Sequence, residues 1–194
     1  MTTHEVPKAE TAALHTGRDE IRISSFLLGV RAEDLWFQIG TPRGINEELA
    51  PLLTMRMPAH ATWARLADVP VGEPAGRCSV RLFGVLPVDY DELMLAEVTP
   101  GERFREESST RTTRLWGHER TLTPTPEGTW ITDRLLLDVR PGLRATRAIH
   151  RRIATALFEH RHRRLRSRIG PRLRIERGLG GSRSQSGSGS GVRS

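Results

Sequence analysis

Alternation of apolar and polar positions is the first signal along this chain. From Glu20 to Phe26, Ile21, Ile23 and Ser25 alternate with Arg22, Ser24 and Phe26, and the run stops before Gly29, which predicts a first β-strand. The period then lengthens. Ala32 to Ile39 places Leu35, Trp36 and Ile39 on one side of a short helix. After the break Thr41-Pro42-Arg43-Gly44, the residues Ile45, Leu49 and Leu52 repeat at helical spacing until Pro51 ends or kinks the piece. From Ala61 onward strand patterns return, predicted at Thr62–Ala67, Gly76–Leu86, Leu93–Val98, Glu102–Thr110, Arg114–Thr123 and Thr129–Val139. They are divided by Pro70-Val71-Gly72, Pro87 to Asp91, Pro100-Gly101 and Pro124 to Gly128; such short dividers imply an antiparallel meander. The final segment, Arg144 to Ile169, holds no helix breaker, and Ile153, Ala154, Leu157, Phe158 and Leu165 fall within one arc of about 140°. A curved antiparallel sheet has one face to cover, and this helix is the only element long enough to do so. The predicted class is α+β: about six or seven antiparallel strands, two short helices after the first, and one long C-terminal helix.

Composition agrees with a single domain. The 194 residues are 37% hydrophobic, 27% charged and 5% aromatic. No run approaches the roughly 20 apolar residues of a membrane helix, and residues 1–18 lack the apolar centre of a signal peptide, so no membrane insertion and a cytoplasmic location are expected. The one cysteine, Cys78, lies in an apolar strand-like run and reads as a buried inert thiol. The net charge of +7 is concentrated at one end: residues 161–194 hold ten arginines and one acid, a net +9, which leaves the first 160 residues at −2. Nucleic-acid binding by the folded body is therefore not expected. Residues 1–17 read as a flexible N-terminus, 18–169 as the domain, and 170–194 as a disordered Arg/Gly/Ser tail. Such a tail can also associate with an anionic polymer or membrane surface in a salt-dependent way.

Common catalytic motifs are missing. His160 and His162 stand two apart on a helix and diverge by about 200°, and the HExxH and CxxC spacings are absent, so no metal is expected. There is no phosphate-binding glycine loop and no Gly-x-Ser-x-Gly elbow, and no cofactor is expected.

Several strings resemble the START-like helix-grip superfamily, and in particular its bacterial polyketide cyclase/dehydratase-like members. They are Arg81-Leu82-Phe83-Gly84-Val85-Leu86-Pro87, Thr99-Pro100-Gly101-Glu102-Arg103-Phe104, Leu115-Trp116-Gly117-His118, Thr132-Asp133, and the run from Leu157 to Leu165. Similar proteins often read Trp-x-His-x-His in the late strand, where this chain has Arg120. The resemblance covers about Ile21 to Ile169. It implies a helix-grip fold, with the sheet wrapped on the terminal helix and a hydrophobic cavity between them for a small apolar or polycyclic molecule.

Strand periodicity supplies candidate residues for that cavity. Trp116, His118, Arg120 and Leu122 share one face; Ile131, Asp133, Leu135 and Leu137 share a face of the next strand; Phe104, Glu106 and Ser108 alternate on the strand before. An Asp on an apolar face must find a donor, and His118 or Arg120 can supply it. One reading is a buried Asp133–Arg120 ion pair that fixes register, with His118 as a satisfied inner histidine. A second is a ligand site of Trp116, His118, Arg120, Asp133, Phe104, Trp63 and Phe158. A third is acid–base catalysis by His118 with Asp133 or Glu106, as in a cyclase or dehydratase. Trp36 is assigned to core or cavity mouth, and Trp130, out of phase, to the outside. Arg161 lies inside the helix's apolar arc, where its guanidinium either pairs with a sheet carboxylate or reaches solvent. A sheet edge or the Trp130 face offers a dimer surface, and no pattern decides the oligomeric state.

Overall fold

A computed structural model of the chain describes residues 19–58, 61 and 63–181. The alternating segments form one antiparallel sheet of seven strands: β1 (Asp19–Leu28), β2 (Leu53–Arg56), β3 (Pro74–Leu82), β4 (Leu86–Thr99), β5 (Arg103–Thr110), β6 (Thr113–Thr125) and β7 (Gly128–Val139). Their order is β1-β7-β6-β5-β4-β3-β2, so each strand after β2 lies beside its sequence neighbour and β7 closes back onto β1. Two short helices, α1 (Ala32–Ile39) and α2 (Pro42–Leu49), follow β1, and a 3-10 turn over Pro141–Thr146 leads into the long helix α3 (Arg147–Gly181). The sheet is curled and α3 lies in its concavity. This is the α+β helix-grip architecture expected from the sequence.

Alternation decides which side faces in. On β7, Ile131, Asp133, Leu135 and Leu137 are buried, whereas Trp130 is 45% exposed and packs on Phe26 outside. Helix α3 covers the β1–β7–β6 side. Ala154 and Phe158 pack with Ile21, Leu135 and Leu137, and Leu165 and Ile169 pack with Leu27, Leu35, Leu122 and Ile131. The inner face of β3–β5 has a different cover. Leu66 and Val69, beside a 3-10 turn at Leu66–Asp68, close over Cys78, Leu93, Leu95 and Phe104 with Trp36, Met55, Met57 and Trp63.

Four local expectations are corrected. The strand expected at Thr62–Ala67 is absent over the described residues 63–67, where Trp63 packs from an irregular segment that ends in the 3-10 turn. The missing strand is β2, whose Met55 is tied to α2 because Asn46 accepts from its N–H and donates to its carbonyl. The hairpin into β4 turns at Phe83-Gly84, both with positive φ, and not at Pro87–Asp91; a Phe in that conformation is rare, so the turn leaves little mark in the sequence. On α3 the buried stripe is Ala154, Phe158, Arg161, His162, Leu165 and Ile169, while Ile153 is 62% exposed. The helix starts at Arg147, three residues later than expected, and its backbone continues past Ile169 to Gly181. The flexible N-terminus expected at 1–17, the part of the tail expected at 170–194 that follows Gly181, and the side chains from 170 onward lie outside the described residues.

Helix α2 matters because it carries a charged residue inward, and its position depends on a tight contact. Thr41 caps it by accepting from the Gly44 N–H (2.9 Å), so the Thr-Pro-Arg-Gly break is the start of the helix. A Cβ at Gly44 would collide with the Gln38 carbonyl of α1. Gly44→Ala is therefore expected to cost about 1–3 kcal/mol by forcing α2 off α1; a shift in the urea midpoint measures it, and an unchanged midpoint contradicts the close approach.

Candidate functional site

Register brings the inward polar groups together. Arg120 stands opposite Asp133 across β6–β7, His118 opposite Glu106 across β5–β6, and Arg120 opposite Phe104 on its other side. All four polar side chains point into the concavity and are buried. Asp133 is the centre of the cluster. Arg120 donates to it from Nε (Oδ1, 2.7 Å) and from Nη2 (Oδ2, 2.7 Å). His118 Nε2 lies 3.0 Å from Oδ1, and His162 Nε2 lies 3.0 Å from Oδ2. The same guanidinium donates to Glu48 of α2 through Nη1 (2.7 Å) and Nη2 (3.0 Å). Arg161 of α3 donates to Glu48 from Nε at 2.9 Å and lies over the Phe158 ring. Arg166 donates to Ser25 Oγ (2.6 Å), so the Ser25 hydroxyl has its own proton for His162 Nδ1 (2.9 Å), which makes His162 Nε2–H the donor to Asp133. One network thus stitches β1, β6, β7, α2 and α3.

These partners set the ionisation of the cluster. Burial alone would push Asp133 upward, but Arg120 and His118 hold its carboxyl well below the usual range. Glu48 is likewise lowered: burial opposes its charge, and Arg120 and Arg161 overcome it. Arg120 is raised against the same desolvation by its two carboxylates.

Toward the end of the sheet where α3 begins, the inner face carries a second polar group: Asp91, Glu106, Ser108, Thr110 and Thr113, all buried. His118 joins the two groups, since its Nδ1 is 3.7 Å from Glu106 Oε2. Asp91 and Glu106 are within hydrogen-bonding reach of each other. Burial, then the Glu106 charge, pushes Asp91 well above the carboxylate range. Burial pulls Glu106 in that direction too, but His118, Ser108 and Asp91 together hold it below its ordinary value. The two carboxyls are thus pushed in opposite directions, Asp91 toward its protonated form and Glu106 toward its charged one. Aromatic rings frame it. Phe104 and Phe158 pack edge-on to His118 with ring centres 5.1 and 4.9 Å away, and the half-buried Trp116 lies 6.2 Å from Phe158.

The structure brings together His118, Arg120, Asp133, Glu106, Phe104, Phe158 and Trp116; Trp63 packs in the β3–β5 cluster, which Phe104 shares. Arg161 pairs inward as one reading expected, but with Glu48 on a helix and not with a sheet carboxylate. Glu48, His162, Ser25 and Asp91 were not singled out. His162 was legible, since it is four residues after Phe158 and three before Leu165 on the buried stripe. Glu48 sits on a short helix whose burial no local pattern reveals, and Asp91 fell in a supposed turn. Cys78 is buried, with its thiol pushed up to about 12 chiefly by burial. A crevice of about 20 Å³ lies between α2 and α3, and a surface cleft of about 230 Å³ lies beside Gly29–Glu33 and Pro124–Thr129; neither borders Asp91 or Glu106. Among the described residues, none of the His, Cys, Asp and Glu side chains are grouped as a metal site requires, and no helix is long and apolar enough to cross a membrane.

Solved structures share this architecture. Protein CV1439 from Chromobacterium violaceum superimposes with a TM-score of 0.61 at 17% identity, over 79% of this chain and 99% of that one. A START superfamily protein from Mycobacterium smegmatis gives 0.52 at 12% identity, over 78% and 97%. The di-domain ARO/CYC StfQ of the steffimycin biosynthetic pathway gives 0.56 at 11% identity over 82% of this chain, which spans 51% of that protein. At these identities the agreement is one of fold. Among curated proteins no relative matches the sequence. A family profile does match, over residues 27–169, from the end of β1 into α3. The chain thus has a START-like helix-grip fold and belongs to the family described as a domain of unknown function, DUF8410.

Proposed function

We propose that this chain binds a small, largely apolar molecule against the concave face of its sheet, within a cytoplasmic domain of residues 18–169. The observation that carries the reading is an asymmetry along α3. Where α3 crosses Arg120 and Asp133, the space is filled by the ion-pair network. Where it begins, Ile149 and Ile153 are 55% and 62% exposed and Trp116, which packs on Phe158, is only half-buried, so apolar surface remains uncovered at that end. A ligand placed there has Trp116 and Phe158 for its apolar body and His118 and Glu106 for a polar end. Arg120 and Asp133 lie behind His118 and orient it.

The test is native mass spectrometry of the purified full chain, followed by extraction and identification of any bound compound. Trp116→Ala and His118→Ala are expected to weaken affinity for that compound by about tenfold or more, the usual scale for truncating a buried contact residue. Unchanged affinity in both, with circular dichroism confirming their fold, removes the assignment.

A second reading, a cyclase or dehydratase, is favoured by one geometric fact: His118 has one ring nitrogen on Asp133 and the other toward Glu106. In that reading Asp133, held by four donor contacts, positions the ring, and His118 with Glu106 exchanges the proton. Loss of one water from the extracted compound on incubation with the protein, absent with Glu106→Gln, supports it.

A further inference from the structure

Asp91 and Glu106 are 4% and 8% exposed, yet apart from each other's carboxyl, Asp91 Oδ1 and Glu106 Oε1 have no hydrogen-bond partner. Buried acceptors are normally satisfied, and a charged one left bare is costly. The contrast with Asp133, which meets four donor groups, is internal to the same sheet face. Nearby donors do not make up the deficit. Thr110 Oγ1 accepts from the N–H groups of Thr112 and Thr113 and pairs with the Thr113 hydroxyl at 3.0 Å, neither hydroxyl reaches Asp91 Oδ1 or Glu106 Oε1, and Arg140 donates to the Thr110 carbonyl. His118 faces Glu106 through the other oxygen, at 3.7 Å, and gives its second nitrogen to Asp133. Ser108 remains, with one hydroxyl proton for two carboxyl groups. A proton shared between the carboxyls would join them but leave a net negative charge for this one hydroxyl and a ring nitrogen 3.7 Å away to solvate. Around this small polar group the same face is apolar: Leu95 stands opposite Glu106, and Leu93 and Phe104 are buried.

We infer that Asp91 and Glu106 form the polar subsite of the hollow and take an O–H or N–H donor group of an otherwise apolar ligand. The inference rests on the binding reading above and adds the chemical class: an aromatic or aliphatic alcohol, phenol or amine, in preference to its alkylated analogue. Asp91 is the residue this adds to the site; it positions the shared proton and accepts from the ligand together with Glu106.

Two probes with the same apolar body separate the inference from the reading it rests on. 2-Naphthol carries the donor and 2-methoxynaphthalene lacks it. With the full chain, titration calorimetry is expected to show 2-naphthol binding about tenfold tighter, the worth of one hydrogen bond to a charged group. Glu106→Gln and Asp91→Asn, both close in shape to the originals, are expected each to reduce that ratio below about threefold. Equal affinities of the two probes for the unaltered chain overturn the subsite while leaving apolar binding in place. A ratio undiminished in Asp91→Asn, or in Glu106→Gln, also overturns it. Failure of both probes to bind overturns the subsite and the binding reading together.

Discussion

Arg120→Met is expected to destabilise the domain by about 3–5 kcal/mol, enough to unfold much of a marginally stable protein. The reason is the loss of compensation more than the loss of bonds. Arg120 is 1% exposed, and its guanidinium makes four hydrogen bonds to two carboxylates that are themselves buried. Methionine fills a similar volume but leaves Asp133 facing only histidines and Glu48 facing only Arg161. Such uncompensated buried charge is among the few causes of very large mutational effects. The triple variant Arg120→Met, Glu48→Gln, Asp133→Asn removes the charges together and is expected to recover part of the loss, since a buried ion pair contributes less than breaking it costs. Urea unfolding followed by circular dichroism decides: a cost under about 1 kcal/mol for the single variant would mean that water reaches and solvates the two carboxylates.

Acid is expected to unfold the protein through the same network. Asp133 and Glu48 have folded-state values below their ordinary 3.8 and 4.5. For a depressed carboxylate, the stabilisation is present above the unfolded value and is lost as pH falls through the folded one. Thermal stability should therefore start to decline near pH 4.5 and fall steeply below 3.8. Asp91 has the opposite sign. Its value is raised, so its contribution is complete below 3.8 and is lost as pH rises toward its folded value. Asp91→Asn should accordingly gain melting temperature relative to the unaltered chain as pH rises above 3.8, and leave the acid limb in place. Melts across pH 3–9 check both limbs. An acid limb unchanged in the Glu48→Gln, Asp133→Asn double variant would locate acid sensitivity outside the network.

The two ends of the hollow thus do different work. At Asp133 every acceptor is supplied and the packing is closed, as expected of groups that hold sheet to helix. At Asp91 and Glu106 acceptors are left over, and the apolar surface around the start of α3 is incompletely covered. A fold stabilised by the first can tolerate the cost of the second, and in the binding reading proposed above that cost is recovered when a ligand supplies the missing donor.

Much of this was legible from periodicity. Six of the seven strands, the two short helices, the long helix and the inward direction of Trp116, His118, Arg120 and Asp133 follow from spacings of two and 3.6, because a strand or helix buried on one face must repeat its apolar residues at its own period. The Asp133–Arg120 pairing was also accessible, since adjacent strands and matched faces leave few donors for a buried Asp. What local pattern misplaced was the segment from Thr62 to Ala67, where Trp63 packs without regular structure, and the turn at Phe83-Gly84, which uses a conformation rarely given to Phe.

Sequence alone determined the class of the fold, the identity of the covering helix and the inner face of its late strands, since all three depend on short-range periodicity. Only the tertiary structure decided that Glu48 and Arg161 complete Arg120's ion pairs, that His162 reaches Asp133, and that Asp91 meets Glu106 without enough donors between them. Those partners lie up to 113 residues apart along the chain, and the bonds form because the curled sheet and two helices converge on one point, which no local period encodes.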